Sequence, residues 1–328
     1  MNSIKSKKFN FVKHHLLALL ISGIILLTGG IIWIVNGLNL SIDFTGGTVV
    51  NVKVGEALED ANVYNDYIEE IETVMGEHGL TIAKAHKEGT GVDALIQIRY
   101  QDVAGKTVQE MTQISSEFVA DLRSELGDSV VVSTGDRITA TASSSLLLKA
   151  LLAIAIATIL IVVYVGIRFR GLNGICSVIG MLLDVALVFA FTIIFNIEID
   201  SVYIAAIITI IGYSINNNIV VFDRIRENQK LYPTESYAKL VNLSLHQSLA
   251  RTLTMTITTL ITVIVLACVG LQGISSFIYP IIIGVTLGLL TLLFIVSPMY
   301  ARLAEKVDGK KKSNKRKTNN SSDEVIVE

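Results

Sequence analysis

The chain has 328 residues, 51% of them hydrophobic, and a mean hydropathy of +0.59. That composition excludes a soluble globular protein of ordinary make-up and identifies an integral membrane protein. Net charge is −2, and no CxxC, HExxH, P-loop or GxSxG pattern occurs, so nothing marks a metal centre, a cofactor site or an enzyme.

Six apolar runs are each long enough to cross a hydrocarbon core of roughly 30 Å. They are Leu16 to Val35, Leu146 to Ile167, Ile175 to Phe195, Val202 to Val221, Leu253 to Val269 and Ile278 to Tyr300. The first ends in Trp33 and Asn36 without a small-x-small cleavage site and exceeds a typical signal-peptide core, so it is expected to remain as an anchor. Basic residues gather before the first span (Lys5, Lys7, Lys8, Lys13), after the second (Arg168, Arg170), after the fourth (Arg224, Arg226, Lys230) and after the sixth (Lys306, Lys310 to Lys312, Lys315 to Lys317). The positive-inside rule makes these clusters cytoplasmic, with both termini inside and the segment after span one outside. The expected layout is a cytoplasmic N-terminus (1–15), span one (16–37), an outer domain (38–144), spans two to six (145–304) with a cytoplasmic loop near 223–250, and a basic, disordered tail (305–328).

The outer segment Leu38 to Ser144 holds 18 acidic against 7 basic residues, which argues against nucleic acid or anionic lipid as its partner. Gly46 and Gly47 precede a strand from Thr48 to Val54. A helix follows over Glu59 to His78, with Ile68, Ile71 and Met75 on one face. Strands are expected at Thr81 to Ala85 and Ala94 to Tyr100, a helix over Thr107 to Leu126 ended by Gly127, and a last strand from Ser129 to Ser133. The order βαββαβ predicts a ferredoxin-like α+β sandwich, two helices on one antiparallel sheet, large enough for its own core.

Arg168 to Gly174 is a short connection, so spans two and three are expected to be antiparallel neighbours. In span three, Asp184 shares a face with Ser177 and Gly180 and is expected to point into the bundle, either as a protonated acid bonded to a neighbouring helix or as an ion-related group. Span four carries IGYSINNNIVVFDRIREN, Ile211 to Asn228, with Tyr213, Ser214, Asn217 and Asn218 in one arc. Polar side chains there serve as interhelical glue or line a functional path. Asp223 to Ala250 reads as a charged helical hairpin broken at Pro233. In span five Arg251, Thr254, Thr258 and Thr262 share one face; the threonines bond their own helix and Arg251 snorkels, or the stripe is functional. Pro280 and Pro298 predict a kink or an end in span six. Cys176 and Cys268 both fall in spans, so no extracellular disulfide is available.

Three stretches carry a family resemblance: SIDFTGGT, with Asp43, Phe44, Thr45, Gly46 and Gly47; YVGIRFRG, Tyr164 to Gly171; and the span-four motif, with Asp223 and Arg224. From about Phe9 to Ala304 the chain resembles the SecF family, six-span subunits of the SecD and SecF accessory complex of bacterial protein export, in the resistance-nodulation-division (RND) superfamily. The resemblance implies a non-enzymatic role in Sec protein translocation at the bacterial cell membrane, without a cofactor and driven by a proton or sodium gradient. It implies as partners a SecD-like subunit, the SecYEG channel, the SecA ATPase, unfolded preprotein and membrane lipid. Two positions depart from the family pattern. Asn217 stands where proton-coupled members commonly have an acid, and an asparagine has no titratable proton; Leu183 stands where a histidine commonly precedes the span-three acid. Arg251 matches the family's basic residue in span five. The ion pathway is therefore expected to use Asp184 or an acid of the partner, with Ser214, Asn217 and Asn218 as a relay or as sodium ligands and Arg251 as the balancing charge. Two other readings stay open: an RND-type transporter half moving a lipid or small molecule, and a structural stabiliser of the channel without ion coupling.

Overall fold

The computed structural model describes residues 10–54, 61–88, 94–101, 103, 106–127, 130–138, 140–169, 171–268 and 274–307. Lys5 to Lys8 and the expected tail beyond residue 307 lie outside them. A 3-10 turn (Phe11–His14) leads into α1 (His15–Asn36), the one-turn α2 (Ile42–Thr45), β1 (Gly47–Lys53), α3 (Ala61–Glu77), β2 (Ile82–Glu88) and β3 (Leu95–Tyr100). Then come α4 (Val108–Leu126), β4 (Val131–Ile138), α5 (Ala140–Arg168), α6 (Leu172–Ile194), α7 (Ser201–Leu231), α8 (Tyr237–Cys268) and α9 (Ser275–Thr291). The last helix runs on through a π segment (Leu292–Val296) to residue 307. Two compact units result: Leu40–Leu152, and Met1–Asn39 with Ala153–Glu328.

In the smaller unit the strands lie in the order β2-β3-β1-β4, every neighbouring pair antiparallel. Period-two alternation sends Val50, Val52, Ile96, Ile98 and Tyr100 to one face, where Ile71 and Met75 of α3 and Met111, Phe118 and Leu122 of α4 cover them. The Tyr100 hydroxyl stays satisfied inside this core by donating to Ser115 Oγ at 3.0 Å. Helix α4 starts on a capping box, Thr107 with Glu110, and stops at Gly127, whose φ of 82° favours glycine. At α2, Ser41 caps the turn by accepting from the Asp43 N–H, and Gly46 (φ 74°) ends it. Gly47 (φ 124°) then approaches so closely that a Cβ would lie 2.5 Å from the Tyr100 carbonyl oxygen.

The larger unit contains the six helices that are, among the described residues, long and apolar enough to cross a membrane, α5 being shared with the smaller unit. Helices α6, α7 and α9 are the most buried and pack on one another. Small residues let them close: a Cβ at Gly284 of α9 would meet Ile210 of α7 at 2.7 Å, and one at Gly180 of α6 would meet Val296 at 2.5 Å. Helices α7 and α8 run well past the expected spans and leave only residues 232–236 between them. The expected hairpin is thus made by the spans' own extensions. The expectation of an end at the prolines is corrected, for Pro280 lies inside α9 and the helix continues through Pro298. The irregularity is the π segment between them, where the Ser297 N–H reaches the Leu292 carbonyl five residues back.

Candidate functional site

Asp184 is the only charged residue of α6 and is 2% exposed. A carboxyl group at that depth requires hydrogen-bond partners. Ser214 of α7 donates to Oδ2 at 2.5 Å, and Thr291, the last residue of α9, donates to Oδ1. Gly288 lies beside the group, where a Cβ would make ordinary contact with Oδ2 at 3.5 Å. One carboxyl thereby ties three helices together, with no ion pair to it among the described residues. Nothing in its surroundings fixes its charge except two hydroxyls, which either donate to a carboxylate or share the proton of an acid.

The asparagines of α7 diverge although they are consecutive. Asn218 donates to the Ser177 carbonyl of α6 at 3.3 Å. Asn216 is exposed, its amide 4.0 Å from Met255 Sδ of α8. Asn217 is fully buried, and neither its oxygen nor its nitrogen has a hydrogen-bond partner among the described residues. Tyr213 donates to Thr256 of α8 at 2.8 Å. The structure thus joins Asp184 to Ser214, sets Asn218 near Ser177, and leaves Asn217 satisfied by neither.

Arg251 is not brought to this site. It is exposed on α8 along with Thr254, Thr258 and Thr262, whose hydroxyls bond the helix carbonyls four residues back. The stripe therefore lies on an outer face of this chain. Asp223 pairs with Arg168 at the end of α5, so two of the motif stretches meet there. Arg224 bonds Gln247 at 2.8 Å and Glu227 at 2.5 Å, and Asn228 bonds Ser244 and Gln247, which joins the extensions of α7 and α8. Asp43, Phe44, Thr45, Gly46 and Gly47 form the α2 turn and its exit into β1, a backbone feature of the smaller unit.

Thr291, Gly288 and Asp200 were not singled out from sequence. Asp200 caps α7 through the Tyr203 N–H and accepts from Ser276 at the start of α9, at 2.6 Å in each case. Gly284, Gly288 and Thr291 stand at i, i+4 and i+7, a small-residue stripe that was legible in principle. Among the described residues no group of three or more His, Cys, Asp or Glu could hold a metal ion.

Residues 118–306 match the family described as protein export membrane protein SecD/SecF, C-terminal, and residues 31–57 match the SecD/SecF GG motif, which includes Gly46 and Gly47. The chain is 30% identical over 296 residues to a protein translocase subunit SecF of Alicyclobacillus acidocaldarius, covering 89% of this chain and 92% of that one. It is 30% identical to the protein translocase subunit SecDF of Bacillus subtilis, covering 90% of this chain but 38% of that one. The crystal structure of SecDF, a translocon-associated membrane protein from Thermus thermophilus, superposes with a TM-score of 0.76 at 28% identity, over 93% of this chain and 40% of that chain.

Proposed function

The chain belongs to the SecD/SecF family of protein export membrane proteins, and from that premise we propose that it is a non-enzymatic accessory subunit of Sec export that couples a proton gradient to preprotein translocation. A SecD-like subunit is its partner, and the exposed amide of Asn216 on α7 supports this, because an amide on an apolar helix suits another helix better than lipid. SecYEG, SecA, the preprotein and the surrounding lipid are the further contacts of that complex. The smaller unit serves as a ferredoxin-like extracytoplasmic domain, a reading supported by its strand order and by the basic clusters that assign both termini to the cytoplasm.

The observation that carries the coupling is Asp184 bonded at once to α7 and α9. A single proton gained or lost there changes the bonding of three spans, which is what a rigid-body switch requires. Asn217 offers no proton, so Asp184 takes the titrating role in this chain. The test is the rate of preprotein maturation in cells carrying Asp184→Asn, repeated with the proton and sodium gradients collapsed separately. Asp184→Asn should slow maturation severely, and only collapse of the proton gradient should slow the wild type to match. Wild-type maturation in the Asp184→Asn strain would refute the assignment.

A further inference from the structure

The π segment Leu292–Val296 begins at the residue after Thr291, whose hydroxyl holds Asp184. A π turn contains one residue more than an α turn, so each residue beyond it stands where its predecessor would stand in an unbroken helix. Such a turn moves along a helix by exchanging five-back for four-back hydrogen bonds one at a time, and its position is set by what pins it.

His15 and Phe11 hold one side at Phe294, whose carbonyl Pro298, having no N–H, leaves open in either geometry. His15 of α1 instead lies 3.3 Å from the Phe294 carbonyl, which can only accept, and Phe11 packs its ring against Phe294 and His246. On the other side the hold is Thr291 on Asp184, and beyond it lie Gly288 and Gly284. Of the two directions, only the one toward Gly288 leaves the Phe294 contacts in place, and that move takes Thr291 off Asp184.

The sequence dictates the outcome. With the π turn ahead of them, residues 290 to 292 step into their predecessors' places. Leu290, now 45% exposed, takes the place of Leu289, which is 8% exposed. Thr291 takes the exposed place of Leu290, and Leu292 comes to rest against Asp184. A carboxylate needs both hydroxyls that it now holds, whereas a neutral acid has a proton of its own to donate and tolerates an aliphatic neighbour. No charged group offsets the difference: α1 has none beyond His15, α9 has none, and α7 has none before Asp223. Among the described residues, Ser297 Oγ beside the π segment and the Asn217 amide of α7 are buried without a hydrogen-bond partner.

We infer that the π segment is a two-register switch read by Asp184, with Thr291 as its positioning residue. With Asp184 ionised the π turn stays at Leu292–Val296; with Asp184 neutral it moves toward Gly288, and the stretch through Leu292 turns by about 100°. The inference rests on Asp184 being the coupling group.

The register is read at position 290. In the full chain with Cys176→Ala and Cys268→Ala, co-purified with its SecD-like partner in lipid nanodiscs, Leu290→Cys carries a small trifluoromethyl tag. Dissolved oxygen, which partitions into lipid, relaxes the fluorine signal of an exposed tag and spares a buried one. Asp184→Asn should shift the exposed-to-buried ratio toward buried by roughly tenfold. Thr291→Val, which keeps shape and loses the hydroxyl, should do the same, and a tag at Ile261→Cys on the exposed face of α8 should not change. Equal ratios in the parent and both variants, with the Ile261 tag intact, would overturn the switch whatever export does. A buried tag in Asp184→Asn with export at the wild-type rate upholds the switch and removes the coupling role of Asp184.

Discussion

Gly29 and Gly30 are neighbours on α1, yet a methyl group added to each meets opposite surroundings. At Gly29 the new Cβ would lie 2.8 Å from Ala190 Cβ, 2.9 Å from its Cα and 3.1 Å from its carbonyl oxygen; at Gly30 nothing lies within 4 Å. Non-bonded carbons rest about 3.5 to 4.0 Å apart, so Gly29→Ala forces α1 off α6 by roughly 1 Å. The obstacle is backbone, which cannot rotate aside. Overpacking of this kind costs about 1–3 kcal/mol. Both variants share the gain of roughly 1 kcal/mol that alanine brings to a helix, so the difference between them isolates the clash. Gly30→Ala should be neutral or slightly stabilising, and Gly29→Ala should be less stable than it by about 1–3 kcal/mol. Trp33 is the only tryptophan, one turn further along α1, and meets Phe189 of α6 edge-on at 6.1 Å. Its fluorescence therefore reports the separation of these two helices during titration from mild detergent into dodecyl sulfate. Superimposable titration curves for the two variants would refute the reasoning.

Gly47→Ala should prevent the smaller unit from folding stably, because the new Cβ meets the Tyr100 carbonyl at 2.5 Å and φ is 124°; circular dichroism of a Leu38–Ser144 fragment checks this, and a wild-type melting curve would contradict it. In the same fragment the Thr107 N–H, and then its hydroxyl, hold the Glu110 carboxyl below its ordinary value of 4.5. The stabilisation is complete above that ordinary value and is lost as pH falls through the lower folded value, so the melting difference between wild type and Glu110→Gln should shrink in acid. A difference unchanged down to pH 2 would exclude the capping role. Asn217→Leu removes a buried amide that has no partner among the described residues and should leave the chain as stable or more stable by about 1 kcal/mol, measured by Trp33 fluorescence. A loss of more than that would mean the amide is satisfied in the membrane.

The spans were legible because hydropathy is a sum over many residues, whereas their ends were not. Span four was expected to close at Val221, but Phe222, Ile225 and Asn228 continue the buried stripe of α7 to Leu231. The face of Asp184 was legible from Ser177 and Gly180, whereas Thr291 was legible only as the end of a small-residue stripe with Gly284 and Gly288. The asparagines show the limit most clearly. Helical spacing places Asn217 and Asn218 in one arc, yet the 100° between successive residues sends one to α6 and leaves the other without a partner among the described residues. The π segment leaves no periodic signature in LLFIV; only Pro298 just beyond it hinted at an irregularity, and the helix does not end at either proline.

Helix α7 spans 31 residues, about 46 Å, against a hydrocarbon core of roughly 30 Å. The excess is braced to α8 by Arg224, Asn228, Ser244 and Gln247. Ser214, where α7 meets Asp184, lies 17 residues before Leu231, an arm of about 25 Å. A tilt about that fulcrum displaces the tip by roughly 0.4 Å for each degree, and the braced pair moves as one rod. A small tilt at the Ser214 contact is therefore magnified along the braced pair to its largest displacement at the far end of the hairpin.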